Sequence, residues 1–130
     1  MTAPPSVPPE EAGRILPLVD PDALRMLAED VGPETAASFA RDFVRIWPQR
    51  REALAAALQG TDLTRAIDAA LSLRTSSVMV GASRLAALSE GLERRLRADG
   101  FDAAAGHLPE VAECGELTVD ALREDDGGVR

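Results

Sequence analysis

Apolar residues recur along this chain at helical rather than alternating spacing. Residues 63–80 give the clearest case when placed at 100° per residue. Leu63, Ala66, Ala70, Leu73, Ser77 and Val80 gather on one side, the expected core face. The opposite side collects Thr64, Asp68, Leu71 and Thr75, flanked by Ile67, Arg74 and Val78. Leu71 therefore points outward, and Ile67, Leu71 and Val78 form a small exposed apolar strip beside an arginine.

The same pattern divides the rest of the chain. Asp20 is an N-cap with Pro21 at the first helical position, and Gly32 ends the short first helix, whose apolar face holds Ala23, Leu24 and Leu27. A second helix starts near Pro33 and carries Phe39, Phe43, Trp47, Leu54 and Leu58 up to Gly60. Pro48 inside it removes a backbone donor and predicts a kink over 44–47. The third helix opens on Thr61 and Asp62 and runs to about Val80. The fourth follows Gly81 through Leu85, Leu88, Leu92 and Leu96 to Asp99 and Gly100. The fifth is expected over 102–123, bent near Pro109 or Gly115, its continuity weakened also by Gly106. Short loops place sequential helices antiparallel. The predicted fold is all-α: an up-down-up-down antiparallel four-helix bundle over residues 15–123, with a short additional N-terminal helix. Residues 1–14 read as a disordered Pro-rich leader and 124–130 as a frayed acidic tail.

Composition agrees with a helical class. The 130 residues include 23 alanines, no Tyr and 3% aromatics, which suits helices and disfavours sheets. The length suits one domain. A net charge of −8 argues against nucleic acid or an anionic membrane as partner. No apolar run approaches the roughly 20 residues of a membrane span. The N-terminus lacks the pattern of a signal peptide. A single cysteine, Cys114, forms no intramolecular disulfide, so a cytoplasmic location is expected.

Chemistry-bearing residues are few. One His and one Cys build no metal set, and no Gly-rich phosphate loop occurs, so no metal or other cofactor is expected and the chain does not read as an enzyme. His107 sits on the predicted fifth helix with no basic neighbour, and Cys114 reads as a small core residue. Ser76 and Ser77 have no base to activate them; the Ser77 hydroxyl is expected to bond to a carbonyl one turn earlier. The charges at Glu90, Glu93, Arg94, Arg95 and Arg97 are expected on a solvated face.

The order Leu73-Arg74-Thr75-Ser76-Ser77, then Gly81-Ala82, then Leu85, Leu88 and Leu92-Glu93, resembles histidine-containing phosphotransfer (HPt) domains of two-component phosphorelays. In that family a His-x-Leu-Lys-Gly-Ser-Ser (or Ala) segment is followed by Gly-Ala and a leucine-rich helix. The likeness extends over about residues 18–122, and the family fold is the helical bundle reached above. The resemblance puts the phosphoacceptor position at Leu71, the family's basic residue at Arg74 and its glycine at Thr75. An alkyl side chain has no lone pair, so Leu71 cannot carry phosphate. What the resemblance implies is a degenerate member that binds a response-regulator receiver domain or a histidine kinase without turnover. Its partner-binding residues would be Ile67, Leu71, Arg74, Thr75 and Val78. A leucine there adds apolar area, worth about 1.5 to 3 kcal/mol if buried on binding. Two alternatives stay open: a structural or oligomerisation bundle with the strip as a homodimer seam, and phosphotransfer through His107. The sequence leaves the oligomeric state undecided.

Overall fold

A computed structural model describes the backbone of residues 16–128 and the side chains through residue 124. The leader, residues 1–14, lies outside the described residues, as do Ile15 and the last two residues of the tail. Every regular element among the described residues is helical. In chain order they are α1 (Pro21–Val31), α2 (Pro33–Gln59), α3 (Leu63–Met79), α4 (Ser83–Asp99), α5 (Phe101–Ala105) and α6 (Leu108–Gly128).

Local chemistry sets most of these boundaries. The Asp20 carboxylate accepts from the Asp22 amide at 3.0 Å and Pro21 opens α1, so two orphan positions of the first turn are accounted for. Gly32, at φ +93°, ends α1 and caps α2, a left-side conformation that side chains resist. Asp62 caps α3 by accepting from the Arg65 amide at 3.1 Å. Helix α2 continues through Pro48 as one 27-residue element. Pro48 is exposed, so the donor it lacks is missing on the water-facing side of the helix.

The core is one cluster shared by α2 to α6. Helix α2 supplies Phe43, Trp47, Leu54 and Leu58; α3 supplies Ala66, Ala70 and Leu73; α4 supplies Leu85, Leu88, Leu92 and Leu96; α6 supplies Val111, Cys114, Val119 and Leu122. The recurring spacings of three and four are the apolar stripe that each helix turns inward. Helix α3 packs against α2 and α4, while α6 packs against the same two helices. Alanines 66 and 70 are fully buried in α3. Their small side chains allow its neighbours a close approach.

Several expectations are corrected. Leu63, assigned to the core face, is 41% exposed, because it is the first residue of α3 and follows the exposed 60–62 loop. The segment expected as one fifth helix is split at residues 106–107, where the Gly106 amide donates to Asp102 and the His107 amide to Ala104. Neither Pro109 nor Gly115 interrupts it: Pro109 sits in the first turn of α6, where a missing N–H goes unnoticed, and Gly115 is continuous helix. His107 therefore precedes α6, its carbonyl accepting from the Val111 amide at 3.2 Å, and does not lie within a helix. The backbone of α6 also continues to Gly128, past the expected end at Arg123.

Buried polar side chains are satisfied locally. Ser77 donates to the Leu73 carbonyl at 2.7 Å, Ser89 to that of Leu85 at 2.8 Å, and Thr118 to that of Cys114 at 2.7 Å. The Ser77 bond is the one the sequence predicts.

Candidate functional site

The candidate site lies on the face of α3 that neither α2 nor α4 covers. Its position depends on the turn that joins α3 to α4. Gly81 adopts φ +74°, donates to the Val78 carbonyl at 3.1 Å and accepts from the Asp20 amide at 2.8 Å. A β-carbon there would stand 3.0 Å from the Asp20 carbonyl oxygen and 3.1 Å from the Ala23 β-carbon. Both the sign of φ and the crowding call for glycine. Residues 16–20 form a strap across this turn: the Arg84 amide donates to the Pro17 carbonyl at 3.1 Å and the Arg84 Nε to the Leu16 carbonyl at 2.8 Å. Leu18 and Val19 press against the core beneath.

Along the outward face, Thr64, Asp68 and Thr75 are exposed. Leu71 is partly exposed and stands outside the core cluster. Val78 is 60% exposed and continues the apolar surface toward the turn. Ile67 is half-buried and packs on the core, so it contributes one edge of the strip and no more. Met79, not singled out from the sequence, is 44% exposed and widens the apolar surface on the side toward α2.

Arg74 is held in place by a carboxylate. Its Nη1 lies 3.8 Å from Glu93 Oε1 in α4, and Glu93 Oε2 accepts from Arg97 Nε at 2.9 Å. The Glu93 side chain is only 13% exposed, which corrects its expected place on a solvated face: it lies on the side of α4 turned toward α3. Glu90 and Arg94 do form an exposed i, i+4 pair, 3.6 Å apart. Glu93 is thus shared by two guanidinium groups, and the closer contact belongs to Arg97, so the trio keeps one positive charge at the edge of the face. The site is therefore an apolar surface with a partly compensated arginine at its edge.

The remaining sequence candidates lie elsewhere. His107 is half-buried in the 106–107 break. Cys114 is buried and free, and burial pushes its thiol pKa up, against an opposing hydrogen bond between the thiol and Thr118. Among the described residues no group of three His, Cys, Asp or Glu side chains is placed to hold a metal ion. No helix among them is long and apolar enough to cross a membrane.

No family model matches the chain, and no curated protein or solved structure is similar to it.

Proposed function

We propose that this chain is an HPt-like phosphorelay signalling protein that does not accept phosphate and acts by binding a receiver domain or a histidine kinase in the cytoplasm. In this reading α2, α3, α4 and α6 are the four helices of an up-down-up-down bundle and α1 is the short additional helix. The chain performs no chemistry of its own. The observation that carries the reading is the partly exposed Leu71 in the middle of the uncovered face of α3, with Arg74 and Thr75 one turn on and Val78 beyond. A nucleophilic imidazole at that position would face a partner; a leucine there retains the contact and removes the reaction. Such a protein sequesters its partner.

The test is affinity capture from the native cell with wild type and Leu71→Asp in parallel. Wild type is expected to recover receiver or kinase domains, and the aspartate variant to lose them, because a carboxylate buried at an apolar contact is unpaired. Equal recovery by both overturns the reading. Transfer of labelled phosphate to wild type that disappears in His107→Ala overturns it as well and transfers the function to His107.

The exposed pair Val78 and Met79 favours a second reading, a homodimer seam on a purely structural bundle. Solution scattering separates the two, since a monomer at high concentration is incompatible with the seam.

A further inference from the structure

On the α2 side of α3 a cleft of about 170 Å³ opens between the two helices. Phe43 and Val80 are buried and form its floor; Phe39, Ile46 and Met79 form its walls. Its volume is close to the roughly 150 Å³ of an apolar cavity that accepts a benzene-sized ring. Two aromatic rings and three aliphatic side chains make it a place for one flat apolar group.

The polar residues at the cleft give it a sign. Arg50 is half-buried and its Nη1 donates to Ser72 Oγ at 2.6 Å, yet no carboxylate among the described residues stands within ion-pair distance of it. Arg25, Arg45, Arg51, Arg74, Arg94 and Arg97 each have an acidic partner. Asp42 also lines the cleft, but it is exposed and lies 3.3 Å from Arg45 Nη2, so its charge is met from outside. Ser76 adds a hydroxyl on the α3 side. A guanidinium without a carboxylate beside an apolar slot is complementary to a ligand that is apolar at one end and anionic at the other.

We infer that the α2–α3 cleft binds a small monocarboxylate bearing one aromatic ring, the ring between Phe39, Ile46 and Met79 and the carboxylate on Arg50. The cleft shares Met79 with the edge of the α3 face used above but none of Ile67, Leu71, Arg74, Thr75 or Val78, and Leu71→Asp leaves its lining intact. Failure of one proposal therefore does not touch the other.

Phenylacetate serves as the probe, titrated into the full chain and followed by amide chemical shifts. Saturable shifts are expected at Phe39, Ile46, Arg50, Ser76 and Met79, with affinity in the millimolar range for so small a ligand. Phenylacetamide, which has the same shape without the charge, is expected to bind about tenfold more weakly, and acetate not to saturate. Arg50→Gln is expected to weaken phenylacetate to the level of the amide, and Asp42→Asn to tighten it. Absence of saturable shifts at the cleft, or equal binding of phenylacetate and phenylacetamide, overturns the inference. That comparison uses wild type alone, so it decides the matter even where Arg50→Gln fails to fold.

Discussion

Trp47 lies against Gly115 with no space between them for a methyl group: a β-carbon at 115 would fall 2.0 Å from the indole Cη2 and Cζ2 atoms. The glycine in α6 is thus the socket for the largest side chain of α2. The ring is anchored at its other end, where its Nε1 donates to Glu116 Oε2 at 2.5 Å, an oxygen that also accepts from Arg51.

Gly115→Ala tests the socket. Alanine improves helix propensity by about 1 kcal/mol, but here it must displace a buried ring, and overpacking costs about 1–3 kcal/mol or more. The expected result is net destabilisation, read as a lower urea midpoint together with a changed Trp47 fluorescence. A rise in stability would mean that the α2–α6 contact is looser than described.

Glu116→Ala tests the anchor. Trp47 is only 2% exposed, but the Glu116 side chain that accepts from it is 52% exposed, so truncation at 116 lets water reach the freed N–H. The expected cost is about 0.5–1.5 kcal/mol, the net worth of a hydrogen bond that water can replace. Arg51→Ala should cost less, because that pair is partly exposed on both sides and solvent screens it. Chemical denaturation of the two variants orders them.

Leu71 and Leu73 form a matched pair on one helix. Leu73 is 1% exposed within the core, and Leu73→Ala is expected to cost about 2–5 kcal/mol. Leu71 is partly exposed and outside the core cluster, and Leu71→Asp is expected to cost far less. Comparable losses of stability in the two variants would show that Leu71 belongs to the core.

Cys114 supplies a pH dependence. Its thiol is raised in the folded chain by burial, so between the unfolded and folded values the native state holds a proton that the unfolded state has lost. Stability conferred by this residue is complete below the unfolded thiol pKa and declines as pH rises through the interval to the folded one. Cys114→Ala is expected to flatten that alkaline decline in denaturation curves taken across pH. The native thiol should also react slowly with a disulfide reagent at neutral pH.

Helix positions were legible where capping chemistry and periodicity agreed. Asp20, Asp62 and the glycines at 32, 81 and 100 end or begin elements as the sequence predicts, because a cap needs only its nearest backbone neighbours. The outward placement of Leu71 and Thr75 followed from the same periodicity. What the sequence did not disclose depends on distant partners. Glu93 reads as surface until α3 brings Arg74 beside it, and Gly115 reads as a weak point in a helix until Trp47 is laid across it. Arg50 looks like one of 14 basic residues; only the packed structure distinguishes its lack of a carboxylate. The break falls at Gly106, one of the three positions the sequence marks, while the bend expected at Pro109 or Gly115 is absent because proline in a first turn and glycine under a ring are both compatible with unbroken helix.

The strap at residues 16–20 also bears on the order in which the molecule is completed. Its anchors, Gly81 and Arg84, are more than sixty positions downstream. During synthesis this strap has nothing to grip until Arg84 has emerged. A segment made ahead of the helices it fastens is thus secured late, and any interruption of translation before Arg84 releases a product whose strap is untethered.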